Sequence, residues 1–125
     1  MSIQGMNHFN VLTDDVEATR RFYVDVIGLT EGERPPLGFD GAWLYAGARP
    51  ILHVSASRLG VERRGVIDHM AFSATDLKGT IARLKQHGVE HKVFQQVGTR
   101  IWQVFFHDPM GAKVELDFDP SESAP

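Results

Sequence analysis

The stretch Asn7-His8-Phe9-Asn10-Val11-Leu12-Thr13-Asp14-Asp15-Val16 decides the reading, because it returns as Asp68-His69-Met70-Ala71-Phe72-Ser73-Ala74-Thr75-Asp76-Leu77. Each copy sets a histidine near the start of an apolar run and an Asp seven residues later, ahead of a helix-like segment. His8 and His69 lie 61 residues apart. At the far end of each half, Ile51-Leu52-His53-Val54 matches Lys113-Val114-Glu115-Leu116, and His53 precedes Glu115 by 62 residues. Two near-equal offsets at opposite ends of the half indicate an internal duplication.

The order of elements is the same in both halves. The first stretches, near 6–13 and 67–74, alternate in polarity and are bounded by Asp and Thr, as strands are. A helix follows each. Asp14 or Asp15 caps the first, with Glu17 three residues after Asp14 as a capping box, and Val16, Thr19, Tyr23 and Val26 or Ile27 recur at helical spacing before Gly28. The second has Asp76 as its cap, Leu77, Ile81 and Leu84 on one stripe, and Gly88 at its end. Strands are expected near 29–33, 41–46 and 50–56, then near 89–95, 100–107 and 112–118. His107-Asp108-Pro109-Met110-Gly111 reads as a tight turn. The chain is therefore expected to be a single domain over 1–125, with modules at about 6–56 and 67–118, a linker at 57–66 and a flexible tail at 119–125.

Composition narrows the chemistry. The 125 residues suffice for one domain with a real core, and 42% hydrophobic with 23% charged residues is ordinary for a globular protein. A net charge of -3 without a basic block argues against a nucleic-acid or anionic-membrane footprint. The absence of cysteine excludes disulfides, thiolate nucleophiles, Cys-type zinc sites and iron–sulfur clusters. The start Met1-Ser2-Ile3-Gln4-Gly5 lacks the basic and apolar regions of a signal peptide, so a cytoplasmic location is expected. The chemistry then falls to His, carboxylates or a bound metal.

Strand parity selects the candidates, since successive side chains face opposite ways. Phe9 and Val11, Met70 and Phe72, Leu52 and Val54, and Val114, Leu116 and Phe118 form apolar rows suited to lie under the helices. His8, His53, His69 and Glu115 then share the opposite face, and curled sheets would bring them to one cavity. A lone strand histidine is usually a surface or hydrogen-bonded residue; the weight lies in four ligand-type residues at repeat-equivalent positions. Two His and one carboxylate make the facial triad that binds Fe(II) or similar ions and leaves positions open. His87, His91 and His107 lack that support and read as exposed or capping residues. Phe39, Trp43, Tyr45, Trp102 and Phe105 are candidates to flank the cavity.

With His8 followed by Asp14-Asp15, Phe22-Tyr23 with Ile27-Gly28-Leu29, His69 followed by Asp76-Leu77, and Asp108-Pro109-Met110-Gly111 with Val114-Glu115-Leu116, the chain resembles the vicinal oxygen chelate superfamily over about 6–118. That superfamily includes glyoxalase I, extradiol dioxygenases, fosfomycin-resistance enzymes, methylmalonyl-CoA epimerase and bleomycin-binding proteins. The resemblance implies an α+β fold of two βαβββ modules forming a curved mixed sheet around a metal-lined cavity. It implies a divalent ion that chelates two neighbouring oxygens of a small substrate and stabilises enolate-type charge. Ligation is carried onto His8, His69 and Glu115, which match the family's first-, fifth- and eighth-strand positions. His53 departs from the fourth-strand Glu of bacterial glyoxalases and Gln of epimerases, so it reads either as an acid/base or as a fourth ligand.

Three functions follow from the resemblance. The first is an extradiol-type dioxygenase with Fe(II) or Mn(II), placed slightly ahead because His53 matches that group's acid/base histidine. Against it, the dioxygenase tyrosine would fall near Phe105 or Phe106, and those enzymes are longer. The second is a glyoxalase- or epimerase-like lyase/isomerase with Ni(II), Co(II) or Zn(II). The third is a drug-binding resistance protein that sequesters a planar compound without a metal. A homodimer is implied, with each site drawn from one chain or shared between two.

Overall fold

In the computed structural model, residues 1, 4–57, 67 and 69–125 are described. Most of the expected linker at 57–66, together with Ser2, Ile3 and Asp68, lies outside the described residues. The chain divides into two compact units, Met1–Arg63 and Arg64–Pro125. Each builds a four-stranded mixed sheet with one helical segment after its first strand.

In the first unit β1 (Phe9–Thr13) leads into α1 (Val16–Arg21), followed by β2 (Thr30–Gly32), β3 (Gly41–Ala46) and β4 (Arg49–Ala56). The sheet order is β1-β4-β3-β2, with β1 parallel to β4 and the other pairs antiparallel. Thr13 fixes the step from strand to helix. Its hydroxyl donates to the Asp15 carbonyl at 3.0 Å and accepts from Asp15 N–H and the buried Thr19 hydroxyl, so every capacity of the group is used. Asp15 is the N-cap, its carboxylate accepting from Ala18 N–H. The expected Asp14–Glu17 capping box does not form. Glu17 pairs instead with Arg20 and Arg21, one turn ahead on the exposed face. Past Arg21 the helix widens into a π-helical turn over Phe22–Ile27, a feature that hydrophobic spacing did not announce. Gly28, at φ 93°, closes it by donating to the Tyr23 carbonyl, a conformation a residue with Cβ rarely adopts. The buried stripe is Thr19, Tyr23 and Val26, so Val26 rather than Ile27 completes it. α1 packs against β3 and β4, whose inward row is Ala42, Leu44, Leu52 and Val54.

The second unit repeats the plan with β5 (Met70–Ser73), α2 (Leu77–Gln86), β6 (His91–Gln95), β7 (Trp102–His107) and β8 (Lys113–Phe118), in the order β5-β8-β7-β6. α2 buries Leu77, Ile81 and Leu84 as expected, and Val104, Phe106, Val114, Leu116 and Phe118 form the buried row. Asp76 caps α2 by accepting from Gly79 N–H. Asp108, itself buried, accepts from Met110 and Ala112 N–H and shapes the turn before β8.

Several boundaries differ from expectation, and those near the site matter most. β1 and β5 begin at Phe9 and Met70, so His8 and His69 each stand one residue before their strand. β7 begins at Trp102 because Arg100 takes a positive φ in the preceding turn. The tail is tied rather than free at Glu122. That carboxylate accepts from Leu77 N–H at 2.7 Å and Asp76 N–H at 3.2 Å, and the Glu122 carbonyl accepts from the Trp102 indole at 2.8 Å. A carboxylate there satisfies amide donors that an α-helix start leaves unpaired and suits the positive end of its dipole.

Candidate active site

In the first unit the polar face of the sheet carries a stack of three rings. His53 sits mid-sheet on β4, opposite Asn10 of β1 and Trp43 of β3. Its imidazole lies flat on the Trp43 ring at a centroid distance of 4.1 Å and an interplanar angle of 6°. His8 covers the other side at 3.9 Å and 15°. Beside the stack, the Ser55 hydroxyl donates to Asn10 Oδ1 at 2.8 Å. His8 is exposed, and its Nδ1 lies 2.7 Å from Asn7 Oδ1.

The two nitrogens of His53 are in different situations. The Pro50 backbone, which has only a carbonyl to offer, takes a hydrogen bond from the ring, while Nε2 is sheltered from water and has no hydrogen-bond partner. A tautomer with Nδ1–H bonded to Pro50 therefore leaves a bare lone pair on Nε2. That pattern is the one in which an imidazole is held by an outer hydrogen bond and presents its other nitrogen to an ion or a proton. Burial pushes the His53 pKa down, and the neighbouring His8 and Arg34 add to this against the raising effect of the Pro50 bond. The ring is thus kept neutral.

Stacking also limits what His8 and His53 can do together. Lone pairs of parallel rings run side by side. With centroids 3.9 Å apart and only 15° between the rings, the in-plane lone pairs run nearly parallel, whereas joint ligation needs both to converge on one ion at about 2.0–2.1 Å. In this arrangement the two imidazoles cannot ligate one ion jointly.

The second unit has a histidine and a carboxylate at the matching places. Glu115 lies mid-sheet on β8, opposite Ala71 of β5 and Phe105 of β7, as His53 lies between Asn10 and Trp43. His69 Nε2 is 3.4 Å from Glu115 Oε1, and Gln103 donates to Oε2 at 3.4 Å. Glu115 is only 7% exposed. Burial pushes its pKa up, a hydrogen bond and negative charge from Asp117 push the same way, and His69 and Gln103 oppose them. Phe105 walls the pair, edge-on to His69 at 6.2 Å, with the Lys113 ammonium 5.3 Å from its ring centre. Asp117, two residues on and on the same face, keeps one buried oxygen without a hydrogen-bond partner.

Each predicted site residue is thus found beside a partner within its own unit: His8 with His53, and His69 with Glu115. Among the described residues of either unit, no three His, Asp or Glu side chains form a closed ligand set. The donors nonetheless fit a divalent ion chemically. They are imidazole nitrogens and a carboxylate, one with an orphaned lone pair and another beside an orphaned carboxylate oxygen. Of the flanking aromatics, Trp43 and Phe105 touch the pairs. Trp102 turns to the helix side of its sheet, where it holds Glu122, and Tyr45 donates to the Glu33 carbonyl at 2.6 Å. Phe39 is half exposed and faces Arg34. His87 caps α2, His107 is exposed, and His91 Nδ1 lies 2.8 Å from the Val89 carbonyl. Sequence reasoning missed Asp117 as a neighbour of Glu115, although parity already set both on one face. It missed Arg34, which lies in a loop without periodicity.

Paired βαβββ units with this strand order, bearing an imidazole on one central strand and a carboxylate on the other, define a class of α+β proteins built by duplication. The chain belongs to the Glyoxalase/Bleomycin resistance protein/Dioxygenase superfamily, whose family model matches residues 5–116. It is 27% identical to "Glyoxylase I 4" of Arabidopsis thaliana, covering 93% of this chain and 71% of that protein. Among solved structures, a glyoxalase family protein from Bacillus anthracis superposes with a TM-score of 0.78 at 22% identity, covering 95% of this chain and 98% of that one. The fosfomycin resistance protein FosX of Listeria monocytogenes does so with a TM-score of 0.75 at 21% identity, covering 93% and 92%. No helix among the described residues is long and apolar enough to cross a membrane.

Proposed function

We propose that this protein is a divalent-metal-dependent lyase or isomerase acting on a small substrate with adjacent oxygens. His8, His69 and Glu115 hold the ion, and His53 moves a proton. The observation that carries the reading is the His53 Nε2 lone pair, sheltered and unpartnered on a ring clamped between Trp43 and His8 and fixed by Pro50. The stack assigns the two histidines different tasks. His8, exposed and ahead of its strand, would offer a ring nitrogen to an ion from the outer side of the stack, while His53 stays in place as the base.

A bound divalent ion supplies Lewis-acid stabilisation of charge developing on chelated oxygens. Two imidazoles and a carboxylate suit Fe(II) or Mn(II), and Ni(II), Co(II) and Zn(II) are compatible. His53 takes a proton from the substrate carbon at Nε2 and returns it, because burial and His8 oppose a lasting positive charge on the ring. Glu115 loses its penalty for being charged once a cation stands against it. The chain is proposed to work in the cytoplasm as a homodimer, in keeping with a superfamily that binds small molecules and is typically dimeric.

The sequence resemblance set ring cleavage slightly ahead; the order is reversed here. Phe105, opposite Glu115 on the same face, brings no hydroxyl, and one curated relative, 27% identical, is a glyoxylase by name. The dioxygenase reading keeps one support, an imidazole rather than a carboxylate at position 53. Metal-loaded protein is expected to turn over a thiohemiacetal without consuming oxygen. Oxygen uptake with a catechol would move the assignment to ring cleavage. Tight drug binding that survives chelation, with neither turnover, would overturn both enzyme readings in favour of sequestration.

A further inference from the structure

Beside the ring stack lies an open groove of about 550 Å³ lined by Glu33, Arg34, Pro35, Trp43 and Tyr45. One of its lining residues, Trp43, carries His53 on its ring. Arg34 is held in place from one side. One terminal nitrogen donates to the Phe39 carbonyl at 2.9 Å, and the guanidinium lies 5.0 Å from the centre of the Phe39 ring. Gly41 passes so close that a Cβ there would meet the guanidinium at 2.9 Å. The adjoining edge is only half spent: Arg34 Nε is buried and has no hydrogen-bond partner, and the neighbouring Nη2, with two N–H bonds, keeps one beyond its bond to Phe39. A sheltered guanidinium N–H without an acceptor is costly, and the Nε edge is one of the two on which arginine grips a carboxylate with paired bonds.

We propose that this groove is a recognition subsite for the carboxylate of a small, flat organic acid, with Arg34 as its specificity-determining residue. Trp43, Tyr45 and Pro35 supply apolar walls for the body of such a molecule, and Arg34 supplies the charged fork. The Glu33 carboxylate at the same wall disfavours a second negative charge, so a monocarboxylate binds better than a phosphate dianion. Trp43 both lines the groove and stacks on His53, so a group anchored here lies beside the proton-transfer residue. The subsite is built from the first unit alone and needs no ion.

The test uses the full chain, nitrogen-labelled and stripped of metal with a chelator, with benzoate as probe and benzamide as its neutral isostere. Because no ion is present, failure here leaves the metal-dependent activity untouched, and failure of that activity leaves this result standing. Benzoate is expected to shift the Arg34 Nε–H resonance with millimolar affinity, benzamide and phosphate more weakly. R34Q should weaken benzoate about tenfold and leave benzamide unchanged. R34K, which keeps the charge without the fork, should recover only part of the loss and serves alone if R34Q does not fold. Equal binding of benzoate and benzamide, equal binding by wild type and both variants, or no shift at Arg34 would each overturn the proposal.

Discussion

The two units share a backbone plan and differ in what they place on it. Each has a histidine one residue ahead of its first strand, a ligand-type residue mid-sheet on its last strand, and an aromatic directly opposite on the neighbouring strand. In the first the trio is His8, His53 and Trp43; in the second it is His69, Glu115 and Phe105. The first unit stacks flat rings and leaves a neutral base. The second buries a carboxylate against an imidazole and a second acid, with its pKa raised. Duplication preserved register and parity, and divergence at one central position separated a proton carrier from a charge-bearing ligand.

The largest effect that would break this comparison is loss of the carboxylate. Glu115→Ala should abolish stoichiometric metal and lower kcat/KM by roughly 10³-fold, since Lewis-acid stabilisation is worth several kcal/mol. Metal analysis beside an activity assay reads both. At the matching position, His53→Gln should lower kcat by about 10²–10⁴-fold with metal content unchanged, as expected for loss of a general base rather than of a ligand. Loss of metal along with activity would make His53 a ligand and erase the division of labour.

Core substitutions should not respect that division. Leu52→Ala, at a fully buried position under α1, is expected to cost about 2–5 kcal/mol in chemical denaturation, by cavity formation and lost burial. A smaller effect separates function from stability in the second unit. Folding raises the Glu115 pKa, so the folded state favours its protonated form. Its contribution is fully present below the unfolded pKa and is lost as pH rises through the folded value. At neutral pH the metal-free Glu115→Gln protein should therefore be more stable than wild type, a gain that vanishes in acid. A thermal melt series across pH checks the sign. Smallest of all, Glu122→Ala should cost about 0.5–1 kcal/mol in chemical denaturation by uncovering the start of α2.

Much of this arrangement was legible in the chain because duplication gave each signal twice. Asp15 and Asp76, seven residues after their histidines, are both helix caps, and the apolar rows of β4 and β8 are buried as parity required. What stayed hidden was set by tertiary partners. The widening past α1 at Phe22–Ile27, with Tyr23 and Val26 buried, leaves no mark in the hydrophobic spacing. The docking of Glu122 onto α2 joins residues far apart in sequence. The flat clamping of His53 and the half-spent guanidinium of Arg34 depend on side-chain orientations, which spacing does not encode.

The direct test of the central claim is elemental analysis of anaerobically purified wild type and His69→Ala protein, with circular dichroism on both. The account predicts about one divalent ion per chain in the wild type and none in the variant, with unchanged spectra. Stoichiometric metal retained by the variant, or a wild type that takes up none when metal is supplied, would contradict it.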